Sequence, residues 1–150
     1  MKRIFTATLG ILSAAALSFA GVQHLLPRPQ LLSENPAVQF SLNRPIELKV
    51  QPQQSTDPQV TAELTSWIVA NNGSISAQAP TKLIVELVPS VAGAEFQEEA
   101  YQLTISSDTL LIRATTLKGA FWATQSLWQL SETTNSLPGL TITDWPAFRI

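Results

Sequence analysis

The stretch that most constrains the fold is Leu117–Leu130, Leu-Lys-Gly-Ala-Phe-Trp-Ala-Thr-Gln-Ser-Leu-Trp-Gln-Leu. Leu117, Ala120, Phe121, Thr124, Leu127 and Trp128 step by three and four, so they share one face of a helix. Thr115 or Thr116 supplies the N-cap hydroxyl. Gly119 falls in the first turn, where glycine costs about 1 kcal/mol relative to alanine, so another part of the chain is expected close to its backbone. Immediately upstream, Thr109–Thr115 reads as a strand. A strand feeding an amphipathic helix demands a sheet for that helix to cover.

The rest of the chain supplies one. Val22–Leu32 opens with Pro27 and Pro29, which hold it extended and deny it helix or central-strand pairing. Ala37–Leu42 and Ile46–Val50 are short strand candidates separated by Asn43 and Pro45. A second helix follows, with Asp57 as cap, Pro58 in the first position and Val60, Leu64, Trp67 and Ile68 as its apolar stripe. Asn71-Asn72-Gly73 ends it, with Gly73 expected in the left-handed conformation. Lys82–Val88 is a strand stopped by Pro89. Glu98–Ser106 alternates and turns through Ser107-Asp108 into Leu110–Ala114, a hairpin. Pro138–Thr143 is a last strand. The expected fold is α+β, a largely antiparallel sheet with two helices packed on one face.

Four short patterns stand in order along this chain: Leu26-Pro27-Arg28-Pro29-Gln30; Glu99-Ala100-Tyr101-x-Leu103-x-Ile105; Ile112-x-Ala114-x(4)-Gly119-x-Phe121-x(3)-Gln125-Ser126-Leu127-x-Gln129-Leu130; and Asp144-Trp145-Pro146-Ala147-Phe148. Together they resemble the small α/β domain that precedes the catalytic barrel in family 20 glycoside hydrolases, the β-N-acetylhexosaminidases, although that family usually has threonine where Ser126 stands. The same domain resembles those before the barrels of family 84 hexosaminidases and family 67 α-glucuronidases; the pattern around Gln125 and Asp144 favours family 20. The resemblance implies a parent enzyme that removes terminal N-acetylhexosamine without metal or organic cofactor. Its catalytic barrel would be this domain's partner, lying against the two helices, and glycan would be met only through that parent.

The resemblance also implies that residues 21–143 form the domain and 144–150 begin a barrel missing here. Such enzymes use an adjacent Asp-Glu pair on a barrel loop, the glutamate as acid/base and the substrate's acetamido group as nucleophile. The sequence holds no Asp-Glu dipeptide. No catalytic, cofactor-binding or metal residue is therefore expected, and Arg149 takes no sugar-binding role. The rival reading is a free-standing glycan-binding or interaction module.

Composition supports an exported protein. Lys2 and Arg3, the apolar run Ile4–Leu17 and Ser18-Phe19-Ala20 form a secretory signal peptide over residues 1–20. The run is shorter than the roughly 20 residues of a spanning helix, so no membrane attachment is expected after cleavage. Losing Lys2 and Arg3 leaves seven basic and eleven acidic residues, moving the formal charge from −2 to −4. No basic stripe is left for nucleic acid. With no cysteine in the chain, disulfides and thiolate chemistry are excluded.

Individual residues add little chemistry. His24 is the sole histidine and supports neither triad nor metal site. Glu95, Glu98 and Glu99 read as a solvated acidic loop ahead of a metal cluster. Trp67 and Trp128 read as core, whereas Trp122 and Trp145 fall off the stripes and are the candidates to touch sugar. Trp122 and Ala123 beside the stripe, with Trp145, Phe148 and Ile150, predict an apolar surface prone to self-association.

Overall fold

The computed structural model describes residues 20–23, 25–52 and 58–147. The body of the signal-peptide reading, His24, Asp57, Phe148, Arg149 and Ile150 lie outside them.

Among the described residues one seven-stranded sheet has the spatial order β1-β7-β5-β6-β4-β2-β3. Its strands are β1 (Leu31–Ser41), β2 (Pro45–Gln51), β3 (Ser74–Ile75), β4 (Thr81–Leu87), β5 (Tyr101–Ile105), β6 (Thr109–Ala114) and β7 (Ser136–Asp144). Helix α1 (Ala20–Gln23) is a single turn; α2 (Pro58–Ala70) and α3 (Leu117–Ser131) cover the sheet. β1–β7, β7–β5 and β5–β6 pair antiparallel, whereas β6–β4, β4–β2 and β2–β3 are parallel. The α+β fold with two helices on the sheet is as expected, with the parallel pairings gathered at one side. That side follows from the crossover: α2 carries the chain from β2 over to β3 and β4, and a helical crossover returns strands in parallel.

Leu83, Val85, Leu103, Ile105, Leu110, Ile112, Leu140 and Ile142 alternate along their strands and are buried beneath the helices. The hairpin register Ile105↔Leu110 leaves Ser107-Asp108 as the turn. On α2 the buried residues are Val60, Leu64, Trp67 and Ile68, the stripe read from the sequence. Trp67 satisfies its indole N–H within the core by donating to Ser131 Oγ at 2.9 Å. α2 closes by donating Gly73 N–H to Ile68 O at 2.9 Å and Asn72 N–H to Val69 O at 3.0 Å. Asn72, at φ 60°, takes the left-handed position in place of Gly73. Gly73 is needed for closeness instead, since a Cβ there would lie 2.9 Å from Leu42 O.

α3 is capped by Thr116, whose hydroxyl accepts the Gly119 N–H. The close approach expected at Gly119 is present: an added Cβ would sit 2.7 Å from Ala100 O. The buried stripe is rotated from the one expected. Gly119, Ala120, Ala123, Leu127 and Leu130 face the sheet, and Phe121 and Trp128 pack only at its margin. Small residues occupy the centre because the helix lies so close to the β5 and β6 end of the sheet that larger ones do not fit.

Three further differences are local. β1 begins at Leu31, within the segment read as an extended opening, and pairs as an edge strand with β7. The register shifts between Asn35 and Gln39, where Pro36 interrupts the ladder and Pro138, which has no N–H to donate, stands opposite. β3 is a two-residue strand with no alternation to announce it. Val22 and Gln23 lie in the helical turn α1, not in an extended segment.

Candidate functional site

Leu25–Gln30 runs as a strap beside the outward side of α3 and the end of β7. Leu25 is buried, but Leu26 is 77% exposed, so packing alone does not hold the strap. Polar contacts do. Gln129 Oε1 accepts the Leu26 N–H at 2.7 Å and Gln129 Nε2 donates to the Leu26 carbonyl at 3.1 Å. Four residues on, the Gln30 N–H donates to Asp144 Oδ1 at 3.2 Å.

Between strap, helix and strand end lies a cleft of about 460 Å³. Its α3 wall is Trp122, Gln125, Ser126 and Gln129, residues spaced to fall on one side of the helix. Its floor is Tyr101 at the start of β5 and Asp144 at the end of β7, which are directly paired in register. Trp145, Pro146 and Ala147 close the far side.

The floor is a connected polar cluster. Tyr101 Oη and Ser126 Oγ are 2.7 Å apart. The Asp144 carboxylate lies in register beside Tyr101 and interacts electrostatically with its phenol. Burial pushes the Tyr101 phenol far above its ordinary range, so it stays protonated. Burial also raises the Asp144 carboxyl, opposed by the N–H groups of Gln30 and Trp145 and by Tyr101. Among the described residues no nucleophile with an activating base is built here; the two carboxylates that line the cleft are Asp144 on its floor and Glu99, which is engaged by Lys118 and Trp122. What the arrangement can do is hold surfaces and polar ligands together.

At the rim, Trp122 is 45% exposed. Its indole N–H donates to Glu99 Oε2 at 3.1 Å, and Phe121 meets it edge-on with ring centroids 5.6 Å apart. Lys118 pairs with the other oxygen of Glu99, and that contact, followed by Trp122, holds the Glu99 carboxyl below its ordinary range.

Of the residues singled out in the sequence, the structure brings Trp122, Trp145 and Glu99 together at this cleft. Trp67 is core, and Trp128 is half-buried at the core margin. Glu95 and Glu98 are exposed and stand apart from Glu99's contacts. Among the described residues no three metal-ligating side chains cluster, and no helix is long and apolar enough to cross a membrane. Ala123, expected beside the core, is fully buried within it, which leaves Trp122 as the exposed apolar residue of α3. The polar floor of Tyr101, Ser126 and Asp144 was not assigned from sequence. The signal for it was the recurrence of Gln125, Ser126 and Gln129 at helical spacing beside the apolar stripe.

Residues 22–145 match the family model described as glycosyl hydrolase family 20, domain 2. Among solved structures, a family 20 exo-β-N-acetylglucosaminidase from Vibrio harveyi in complex with N-acetylglucosamine is 22% identical, with a TM-score of 0.65 over 85% of this chain and 20% of that one. A β-N-acetylhexosaminidase from Bacteroides fragilis is 17% identical, with a TM-score of 0.59 over 83% of this chain and 25% of that one. CpGH84D is 16% identical, with a TM-score of 0.64 over 81% of this chain and 23% of that one. These likenesses establish a shared fold, and the chain spans a quarter or less of the length of each of these structures. No curated protein matches the sequence.

Proposed function

The chain belongs to the family described as glycosyl hydrolase family 20, domain 2, and on that premise we propose that it is the exported, non-catalytic scaffold domain of a β-N-acetylhexosaminidase-like enzyme. The parent activity would be removal of terminal N-acetylhexosamine by a catalytic barrel following β7. In this reading residues 1–20 direct export and are cleaved after Ala20, and the domain works without metal or organic cofactor.

The observation that carries the reading is the coincidence of two boundaries. The family match ends at Trp145, and β7, the last strand of the sandwich, ends at Asp144. The match spans the described sheet and both helices that cover it, and the side chains of the cleft form a polar cluster. Function resides in sites and not in folds, so a domain without a reacting constellation contributes support and placement.

The test is a graft. Placed before a family 20 catalytic barrel in lieu of that enzyme's own domain 2, residues 21–147 should keep the barrel soluble and active where the barrel alone is not. A barrel equally soluble and active with no domain before it would overturn the scaffold role. Export is tested by the N-terminus of protein recovered outside the cytoplasm, expected at Gly21.

A further inference from the structure

We propose that the cleft between the strap, α3 and the end of β7 is itself a binding site for a short, neutral, hydroxyl-rich saccharide. Its volume, about 460 Å³, falls inside the range of roughly 300–1,000 Å³ usual for small-ligand sites. Size alone does not choose a ligand; the chemistry of the walls does.

One wall is aromatic and fixed. Trp122 is tied at its N–H by Glu99 and braced edge-on by Phe121, yet nearly half of it remains open. An immobilised, uncovered indole is a ready platform that loses little conformational entropy on binding. A sugar ring offers the flat array of C–H groups that packs on such a face. Trp145 lines the same cleft.

The remaining surface is polar and in part unspent. Among the described residues the Gln125 side-chain amide has no hydrogen-bond partner, while Tyr101, Ser126 and Asp144 form the floor. A purely apolar ligand would strip water from these groups and return no hydrogen bonds. An anion would meet the carboxylates of Asp144 and Glu99. A cation would meet Arg28, which also lines the cleft, and would find Glu99 already paired with Lys118. A neutral polyol meets none of these penalties, packing on the indole with one face and hydrogen-bonding with its edge. The inference does not rest on the scaffold reading: the graft can fail while the cleft still binds sugar, and the reverse.

The test is titration of the purified chain with two neutral β-linked disaccharides, cellobiose and N,N′-diacetylchitobiose, and with anionic digalacturonate. Binding is followed by tryptophan fluorescence and amide chemical shifts. At least one neutral disaccharide should bind saturably with a Kd on the order of 1 mM and shift the amides of residues 122–129 and 144–146. Trp122→Ala should weaken it about tenfold or more, and Gln125→Ala severalfold, with digalacturonate binding more weakly than either neutral sugar. Both positions are at the surface of α3, and circular dichroism checks that the variants fold. Should Trp122→Ala fail to fold, Gln125→Ala decides alone. No saturation by about 20 mM for either neutral sugar, unchanged affinity in the folded variants, or tighter binding of digalacturonate would each overturn the proposal.

Discussion

Gln129 on α3 grips the backbone of Leu26 with both ends of its amide, accepting the N–H at 2.7 Å and donating to the carbonyl at 3.1 Å. The two residues are 103 positions apart, and the contact converts a proline-rich opening into the outer wall of the cleft.

Gln129→Ala should therefore release the strap without unfolding the domain. Two hydrogen bonds are lost at a site where water can replace them, so the cost is about 1–2 kcal/mol. Amide exchange should accelerate at Leu26 and Gln30 while the β4, β5 and β6 core stays protected. Unchanged exchange at Leu26 would mean that packing of Leu25 holds the strap unaided.

Gly119→Ala should destabilise the protein although alanine is the better helix former. The propensity gain is about 1 kcal/mol, but the new Cβ would lie 2.7 Å from Ala100 O and 3.1 Å from Glu99 O, both backbone atoms. Overpacking of that kind costs about 1–3 kcal/mol, so the net effect is a loss, read as a lower urea midpoint.

Ser131→Ala should cost about 1–3 kcal/mol, because it strands the buried indole N–H of Trp67. Trp67→Phe removes that donor together with some packing. In a double-mutant cycle the two changes should be less than additive by about 1 kcal/mol; full additivity would show that the bond contributes nothing.

Acid stability should respond in opposite directions to two carboxylates. Glu99 is held low by Lys118 and then Trp122, so its contribution is complete above its ordinary pKa of 4.5 and is lost as pH falls through the lowered folded value. Asp144 is raised by burial, so its relative stabilisation is present below its ordinary 3.8 and is lost as pH rises through the raised folded value. Thermal unfolding across about pH 3–8 should show Glu99→Gln losing least, relative to the native chain, at the acid end. Asp144→Asn should gain most toward neutral pH. The Glu99 effect should shrink in salt, since Lys118 is largely exposed.

Much of the fold was legible because its signals are local. The α2 stripe Val60, Leu64, Trp67 and Ile68 is a pure 3.6 period, and Ser107-Asp108 between alternating runs marks a hairpin. Gly119 announced a close approach by its helix cost, although its neighbour, Ala100 O, could not be named. What escaped depends on partners distant in sequence. β3 has two residues and exists only because β2 lies beside it. Burial of Ala123 and the marginal place of Phe121 follow from how closely α3 sits on the sheet, which no periodicity reports. The cleft was legible in pieces. Trp122 and Trp145 stood out as off-stripe aromatics, but the floor joins β5, α3 and β7, and its strap is held by a glutamine from the other end of the chain.

The central claim is that this domain supports and places without hydrolysing, and turnover tests it most directly. The purified chain, assayed with an aryl N-acetyl-β-glucosaminide, is predicted to release no chromophore above the uncatalysed rate at any pH where it is folded. Release that tracks the pure protein, and disappears on Asp144→Asn or Glu99→Gln with the fold retained, would contradict it.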